Sequence, residues 1–426
     1  MRSLLIGSVP VHGHVSPLLG VARHFAERGD RVRFLTGARF AAAVAATGAE
    51  FLALPAEADY DDRQDFNETF PERRALTGIR SASFDVEHLF ARPGRPQYDA
   101  VLAAHAAEPV DVLLADPMFW GTQFLLGLPR AERPPIVLCG IMPLMMGSRD
   151  TAPPGMGVLP MRRPFGTARN WALKQLMLRT VFAPATRLTE RMSEEIHGRP
   201  MTFAPLDYMR EVEAYVQFGV AEFEYPRSDD PPTLHYAGPV LGGGTAPKPP
   251  WWGDLDGDRP VVHVTQGTVG NKDFGQLVAP TLDALATEDV LVVVTAGGRP
   301  LDSLPPLPPN ARAAEYLAYD DLFPRTAVYV TNGGYGGVQH ALSHGVPIVV
   351  AGAQEDKLEV AARVHWAGVG RRIRSATPSP DQVRRAVRAL LDDPRYRTAA
   401  ARMAGHMAAA PGFTALDEVV DHLVRA

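Results

Sequence analysis

The sequence predicts an α/β protein of two doubly wound, Rossmann-like domains that face each other across a cleft. Short apolar runs of strand length alternate with stretches of helical periodicity, as expected for parallel sheets covered by helices. A Pro- and Gly-dense segment, residues 226–256, interrupts this alternation once. The length of 426 residues also exceeds one ordinary hydrophobic core. We therefore predict an N-terminal domain over 1–225, a linker over 226–256, a C-terminal domain over 257–400, and a C-terminal helix over 401–426 that packs back on the N-terminal domain.

The first 36 residues predict a βαβ unit. Residues 3–6, SLLI, and 31–36, RVRFLT, have the composition of buried strands. Between them, four apolar residues recur on one helical face: Leu18, Val21, Ala22 and Phe25. Ser16 is a plausible N-cap and Pro17 suits the first helical position, so we expect a loop over residues 7–15. This loop would lie at the carboxyl end of the first strand.

Later elements follow the same pattern. Further apolar runs of strand length occupy residues 110–116, 134–140, 261–268, 290–298, 327–334 and 347–352. Helical stretches are predicted over residues 274–286 and from Val338 to Gly345, and the last segment carries four apolar residues on one helical face: Leu416, Val419, Val420 and Leu423. These elements predict one parallel sheet in each domain.

Composition argues against several classes of protein. The net charge of -5 and the lack of long basic runs argue against a nucleic-acid partner. The single cysteine, Cys139, cannot form an internal disulfide, and no Cys/His cluster has metal-ligand spacing. No apolar stretch is long enough to predict a membrane span, and the first residues lack a signal-peptide core. We expect a cytoplasmic monomer or homodimer without a metal site.

The stretch VTNGGYGGVQHALSHGVPIVV, residues 330–350, predicts a strand, a glycine-rich turn and a helix. The strand ends at Thr331, and the turn runs from Asn332 to Gly337. Glycine permits positive φ and close approach of a ligand to the backbone, and a helix N-terminus exposes unpaired N–H groups. The turn is therefore a candidate phosphate site, with a purely structural turn as the alternative. The common nucleotide patterns GxGxxG and GxxxxGK[ST] are both absent from it.

Three motifs, in order along the chain, resemble those of one enzyme family. Residues 330–357 resemble the donor-binding signature of nucleotide-sugar-dependent glycosyltransferases of the two-Rossmann-domain architecture called GT-B, which include macrolide, aryl-polyketide and plant flavonoid glycosyltransferases. Residues 9–36 resemble the acceptor-side motif of this family, and residues 261–270, VVHVTQGTVG, resemble its loop after the linker. The stretch from about Glu57 to Pro96 matches no motif of the family. The resemblance implies an acceptor-binding N-terminal domain and a nucleotide-sugar-binding C-terminal domain.

The resemblance also implies a catalytic pair. The family's general base is the histidine of a Gly-His-Val step, which here is His14, and the aspartate that orients it corresponds to Asp116. A structural role is the alternative for both, since a loop histidine often only packs and an aspartate at a strand end often only forms a turn. His12 is expected to be a supporting or surface group, and Asp111 lies too far back along its strand.

Donor-binding residues follow from the same resemblance. They are Asn332, Gly333, Gly334, Gly336, Gly337 and Val338 for the diphosphate, His340 for the ribose, Asp356 and Lys357 for the sugar hydroxyls, and Tyr316, in the stretch to Tyr319, for the base. Several of these differ from the family's usual residues, which leaves the donor sugar and base open. Gly267 and Thr268, next to Gln266, either bind phosphate or sugar or only form a turn.

An acceptor pocket is suggested by apolar residues just beyond strand ends in the N-terminal half. These are Phe119, Trp120, Met142, Met145 and Met146. They form either an adaptable apolar pocket or ordinary core. Tyr335 either packs on the acceptor or fills the core.

Together these features predict an inverting glycosyltransferase. It would move a hexose from a UDP- or dTDP-sugar to a hydroxyl of a hydrophobic small molecule, such as a polyketide, macrolide or flavonoid-like phenol, without a metal ion. One alternative is a nucleotide-sugar epimerase or hydrolase, for which Glu355 and Asp356 are the acidic residues near the donor motif. Another alternative is a catalytically silent partner of a second transferase.

Overall fold

The computed structural model describes residues 1–64, 66–241, 246–268, 270–352 and 356–425. Its strands form two sheets, one of seven strands and one of six, and neighbouring strands in both are parallel. The predicted α/β class with two doubly wound domains is confirmed.

The N-terminal sheet contains strands β1 (Ser3–Gly7), β2 (Arg31–Thr36), β3 (Glu50–Ala53), β4 (Val112–Ala115), β5 (Ile136–Gly140), β6 (Ala214–Gln217) and β7 (Leu234–Tyr236). Their order is β3-β2-β1-β4-β5-β6-β7. Alternate residues of β1 enter cores on opposite faces of the sheet, Leu5 on one and Leu4 on the other. The winding direction reverses between β1 and β4, so the carboxyl ends of these two strands border a crevice.

Helices of the N-terminal domain are α1 (His12–Glu27), α2 (Ala41–Ala45), α3 (Phe66–Thr69), α4 (Ile79–Val86), α5 (Gly94–Ala107), α6 (Gly121–Leu125), α7 (Phe165–Arg179) and α8 (Ala183–His197). The predicted apolar face of α1 is confirmed, because Leu18, Val21, Ala22 and Phe25 are all buried in it.

Helix α1 begins at His12, earlier than the predicted start after Ser16. The carbonyl of Val11 accepts the N–H groups of both His14 and Val15, at 2.9 Å each, so a full turn of helix precedes Pro17. The predicted start was wrong because the N–H of His12 is capped from far along the chain, by Oδ2 of Asp62 at 2.7 Å. His14 therefore lies in the first turn of a helix and not in a loop.

The C-terminal sheet contains strands β8 (Val261–Thr265), β9 (Leu291–Thr295), β10 (Ala311–Ala314), β11 (Thr326–Thr331), β12 (Ile348–Val350) and β13 (Gly370–Arg372). Their order is β10-β9-β8-β11-β12-β13, with a reversal of winding between β8 and β11. Thr265 pairs with Thr331, so these two strands end side by side. The second crevice lies at this point.

Helices of the C-terminal domain are α9 (Val278–Leu285), α10 (Tyr319–Leu322), α11 (Tyr335–Ser343), α12 (Lys357–Trp366), α13 (Pro380–Asp392), α14 (Pro394–Ala408) and α15 (Phe413–Arg425). Within the described ranges, every helix of the protein is too short or too polar to cross a membrane.

The end of the chain is two helices rather than the one predicted over 401–426. Helix α14 stops at Ala408, and α15 begins only after Pro411 and Gly412, because proline lacks an N–H group and Gly412 has φ +62°. Helix α15 packs on the N-terminal domain, where Leu416 joins the core that contains Leu4. Oδ1 of Asp417 also lies 3.0 Å from Nε2 of His24 in α1.

Strand β7 falls inside the segment 226–256, to which the sequence assigns only linker. It pairs with β6 and so extends the N-terminal sheet to Tyr236. Directly after it, the two crossings of the chain between the domains touch. The N–H of Gly412 donates to the carbonyl of Ala237 at 2.7 Å.

A buried ion-pair network joins the two domains. Arg363 of α12 lies 2.6 Å from Glu224 of the N-terminal domain and 2.6 Å from Glu359 of its own helix. Glu224 also accepts the N–H of Leu144, and Glu359 accepts that of Gly157, at 3.1 and 2.7 Å. All three charged side chains are at most 5% exposed, so this arrangement depends on every partner being present.

Candidate active site

His14 and Asp116 form a pair in the crevice of the N-terminal sheet. His14 stands in the first turn of α1, which follows β1, and Asp116 directly follows β4. Nδ1 of His14 lies 3.1 Å from Oδ1 of Asp116. A carboxylate only accepts, so Nδ1 carries the proton and Nε2 is the basic atom. The His14 side chain is 13% exposed, and in the described part of the chain no hydrogen bond reaches Nε2.

The Asp116 carboxylate is held in place by the backbone. Its Oδ2 accepts the N–H of Val9 at 2.8 Å, and its Oδ1 accepts that of Met118 at 2.6 Å. Asp116 is completely buried, so these bonds replace the water that it loses. Backbone N–H groups just after β1 and just after β4 therefore fix the orientation of the carboxylate towards His14.

Several charges act on His14. Burial alone would lower its pKa, but the charge of Asp116 and the hydrogen bond to it outweigh burial, and Asp356 and Asp62 act in the same direction. The pKa of His14 is consequently raised. Asp356 immediately precedes α12 of the C-terminal domain, so His14 is within electrostatic reach of the opposite side of the cleft.

The segment around Asp62, which the family motifs do not cover, folds over the start of α1. Asp62 accepts the N–H of His12 and also forms an ion pair with Arg39. Burial lowers the pKa of His12, against the opposing charge of Asp62. The acidic run DYDD, residues 59–62, is the one signal in the sequence that could have predicted this contact.

Tyr60 of the same segment carries a buried hydroxyl that has no hydrogen-bond partner among the described residues. Burial first, and then the charges of Asp116 and Asp62, raise the pKa of Tyr60. The hydroxyl is therefore within electrostatic reach of the Asp116 carboxylate. Its position follows from tertiary packing, so the sequence alone could not single it out.

The glycine-rich turn lies at the carboxyl end of β11. Helix α11 begins at Tyr335, so Gly336 and Gly337 belong to its first turn and not to the turn predicted over 332–337. Along the described backbone, the N–H groups of Tyr335, Gly336 and Gly337 donate to no carbonyl, and the first helical bond runs from Val338 to Gly334 at 3.1 Å. A Cβ on Gly336 would meet no atom within 4 Å. Open space therefore adjoins this turn at Gly336, and an anion site requires such access together with free N–H groups.

Two other glycines here have structural roles. Gly333 has φ +99°, and a Cβ on it would lie 2.9 Å from Val350. A Cβ on Gly337 would lie 2.8 Å from the hydroxyl of Tyr329. Val338 is completely buried in the core, so only its backbone remains for a ligand.

The loop after β8 is tied to this turn. Asn332 donates through Nδ2 to the carbonyl of Gln266 at 2.7 Å, so its amide is already engaged. Gln266 is buried and bonds the backbone of its own loop, including the N–H of Val278 at 3.0 Å, which indicates a structural role. Gly267 has φ +72°, whereas the Thr268 side chain is exposed and available to a ligand.

Lys357, the first residue of α12, lies against both donor loops. Its Nζ is 3.7 Å from the position of a Cβ on Gly270, and its Cβ is 3.4 Å from that of a Cβ on Gly333. Asp356 precedes it, while Glu355, which the epimerase alternative needs, lies outside the described residues. The structure thus brings the predicted sugar-binding lysine next to the glycine-rich turn.

His340 is mostly buried and bonded to a residue that the sequence motifs missed. Its Nε2 lies 2.6 Å from Oδ1 of Asp320, and Nε2 of His344 lies 3.4 Å from the same oxygen. Burial lowers the pKa of His340 despite the opposing effect of Asp320. The ribose role implied for His340 and the base-stacking role implied for Tyr316 both stay predictions, and the Tyr316 side chain is 60% exposed.

The predicted acceptor residues are more buried than an open pocket requires. Phe119 and Trp120 are completely buried in the N-terminal core, which favours their structural alternative, and Met142, Met145 and Met146 pack on the same core. Tyr335 is also buried, and its hydroxyl accepts from Nε2 of Gln217 at 3.1 Å, across the domain boundary. Tyr335 therefore packs between the domains, and the described part of the structure offers it no exposed face for an acceptor.

Known proteins resemble this chain over its whole length. Residues 279–425 match the family model described as "Erythromycin biosynthesis protein CIII-like, C-terminal domain". The chain is 40% identical to 4'-demethylrebeccamycin synthase of Lentzea aerocolonigenes over 99% of both chains, and 33% identical to UDP-glycosyltransferase 2 of Phaeomoniella chlamydospora over 99% of this chain and 96% of the relative. A spinosyn rhamnosyltransferase solved with thymidine diphosphate shares the fold, with a TM-score of 0.69, 18% identity, and coverage of 99% of this chain and 100% of that one.

These similarities favour the transferase interpretation over an epimerase, a hydrolase or a silent partner. The two sheets, their crevices and the motif order agree with the GT-B architecture. The matched relatives are glycosyltransferases, including natural-product enzymes. The chain therefore belongs to the natural-product glycosyltransferase family, whose members use nucleotide sugars as co-substrates.

Proposed function

We propose that this protein is an inverting glycosyltransferase that moves a hexose from a UDP- or dTDP-sugar to a hydroxyl of a hydrophobic small molecule. The observation that carries the proposal is the His14–Asp116 pair, whose basic Nε2 makes no hydrogen bond to the described residues. Asp356, across the cleft, contributes to the raised pKa of His14. In the proposal, the base and the donor side act on one reacting centre in the cleft between the domains.

In this proposal, Nε2 of His14 removes the proton of the acceptor hydroxyl as its oxygen attacks the anomeric carbon. Asp116 holds the Nδ1–H tautomer and stabilises the imidazolium that forms. Because the attacking oxygen and the leaving diphosphate lie on opposite sides of the anomeric carbon, a single displacement inverts its configuration. This single displacement needs no nucleophilic side chain of the enzyme, because the acceptor oxygen itself attacks.

The leaving diphosphate is assigned to the first turn of α11. The N–H groups of Tyr335, Gly336 and Gly337 and the positive end of the helix stabilise its charge. Lys357 lies beside the same turn and adds a positive charge there. We propose that these groups replace a metal ion in the transfer step.

The donor and the acceptor are proposed from the relatives. UDP is suggested by the named UDP-glycosyltransferase relative and dTDP by the solved rhamnosyltransferase with thymidine diphosphate. A natural-product acceptor is suggested by the relative named 4'-demethylrebeccamycin synthase. Saturating UDP or dTDP, at about 100 times its dissociation constant, would stabilise the protein by about 2.7 kcal/mol. A thermal-shift comparison of the two at one and the same concentration identifies the preferred base, because the nucleotide with the lower dissociation constant then gives the larger shift.

The test of the base is His14→Ala. We expect kcat/KM to fall by about 10²–10⁴, the usual contribution of a general base, while nucleotide affinity changes only a few-fold. His12→Ala is the matched control, because this residue stands in the same helical turn and its cap to Asp62 uses only the backbone N–H. If both variants retain equal turnover, His14 is not the base.

A further inference from the structure

Helices α10 and α11 bring three potential metal ligands together, away from the His14–Asp116 pair. They are Oδ1 of Asp320 in α10 and Nε2 of His340 and His344, which lie four residues apart at the end of α11. The three residues each offer one ligand atom, and these atoms all lie within 4.8 Å of one another. The expectation that no Cys/His cluster has metal-ligand spacing did not include His340 and His344, because the third potential ligand, Asp320, comes from another helix.

The two imidazoles point towards the same oxygen. Nε2 of His340 and of His344 lie 2.6 and 3.4 Å from Oδ1 of Asp320. Their rings are nearly parallel, with an interplanar angle of 19° and centroids 5.6 Å apart. Phe323 packs against both rings, at 5.7 and 6.1 Å, and limits their rotation. The ligand atoms are therefore held on one side of a small aromatic cluster.

We propose that Asp320, His340 and His344 form a binding site for a divalent transition-metal ion of the zinc type. Two imidazoles and one carboxylate are ligands that Zn²⁺ accepts, whereas Mg²⁺ and Ca²⁺ prefer oxygen. Ligand atoms about 2 Å from a tetrahedral ion lie roughly 3.3 Å apart. The His344–Asp320 separation already matches this distance, and the His340–Asp320 separation needs to lengthen by under about 1 Å.

Exposure and the helix dipole support the same site. The side chains of His340, His344 and Asp320 are 7%, 25% and 56% exposed, so an ion can enter from solvent and keep a water ligand. His344 is the C-cap residue of α11. The carboxyl end of a helix carries partial negative charge, which favours a cation. The proposal does not depend on the transfer reaction.

The test is titration of the metal-free protein with Zn²⁺ by calorimetry and with Co²⁺ by visible absorption. We expect one equivalent of Co²⁺ to give the intense d–d bands of a low-coordinate site, and Zn²⁺ to displace it. Asp320→Asn and His344→Ala should weaken Zn²⁺ binding by more than about tenfold. Asp320→Asn is the sharper variant, because asparagine keeps a hydrogen-bond acceptor for His340 while losing the charge.

His406→Ala is the matched control. His406 pairs with Glu222 at 3.3 Å on the surface, with no third potential ligand among the described residues, and should leave Zn²⁺ affinity unchanged. Thermal midpoints without metal must match those of the parent protein, so that a loss of binding is not a loss of fold. The proposal is overturned if the parent protein binds no stoichiometric Co²⁺, or if Asp320→Asn binds Zn²⁺ as tightly as His406→Ala does.

Discussion

At the residue scale, the raised pKa of His14 decides when this side chain can accept a proton. A histidine is ordinarily half protonated near pH 6.5, and here the charge of Asp116 overcomes the effect of burial and moves that point upwards. Below this raised pKa the imidazole is protonated and cannot accept a proton, and above it the imidazole is neutral and can. Transfer should accordingly increase with pH through the neutral range.

We expect the acidic limb of kcat/KM to lie above pH 6.5 in the parent protein and to move to lower pH in Asp116→Asn. The substitution removes the largest charge that favours protonated His14, so the base is freed at lower pH. The plateau should fall, by up to about 10⁴ if the tautomer is lost as in the hydrolase triad. A pH–rate profile of both proteins measures this.

One result of this pH–rate profile would contradict the role of Asp116. Asparagine presents one oxygen and one NH₂ group to the N–H groups of Val9 and Met118, so the thermal midpoint of Asp116→Asn must be recorded as well. If the variant is folded and its limb coincides with that of the parent protein, Asp116 does not control His14.

The family resemblance implied that His14 and Asp116 lie together, and the structure pairs them; their catalytic roles stay a prediction. The sequence motifs failed for Asp62 and Tyr60, which approach the N-terminal crevice through tertiary contacts, and for Asp320, which contacts His340 from another helix. Phe119 and Trp120 show the opposite failure: an apolar residue just after a strand has the same pattern in a core as in a pocket, and burial alone separates the two.

At the element scale, the first turn of α11 combines two opposing requirements. Glycine destabilises a helix interior by roughly 0.5–1 kcal/mol relative to alanine. Gly336 nevertheless stands in this turn with open space where its Cβ would be. The missing side chain at Gly336 would then serve to give a ligand access to the backbone N–H groups.

Gly336→Ala should raise stability by up to about 1 kcal/mol and weaken UDP or dTDP binding. Gly405→Ala in α14 is the control, since a Cβ there also meets nothing within 4 Å. It should bring a similar stability gain without any loss of nucleotide affinity. Denaturant unfolding and nucleotide titration of both variants test this. Equal nucleotide affinity in both would remove the phosphate role of this turn.

Strand and helix periodicity predicted most elements near the two crevices but misplaced some of their ends. Helix α1 begins early because Asp62 caps His12 from fifty residues away. Helix α11 includes two glycines that look like turn residues. Short strands such as β7 are defined by pairing with β6, which no local pattern reveals.

At the scale of the whole molecule, the domains are joined by charge as well as by apolar contact. Arg363 bridges Glu224 and Glu359 in a site almost without solvent. Such a network depends on all its members, because removal of one leaves the others buried without compensation.

Arg363→Met should lower the free energy of unfolding by roughly 3–5 kcal/mol, since two carboxylates lose their counter-ion. The triple variant Arg363→Met, Glu224→Gln, Glu359→Gln should recover part of this loss, because no uncompensated charge remains. Calorimetric unfolding of both variants provides the measurement. A single variant as stable as the parent protein, or a triple variant less stable than the single one, would contradict this reading.

The hydrogen bond between Gly412 and Ala237 joins the two segments that connect the domains. Two covalent connections pass from one lobe to the other, and they touch at this point. Two connections that meet side by side attach the domains to each other at one place. A rotation of one domain against the other would therefore have its axis at this common attachment.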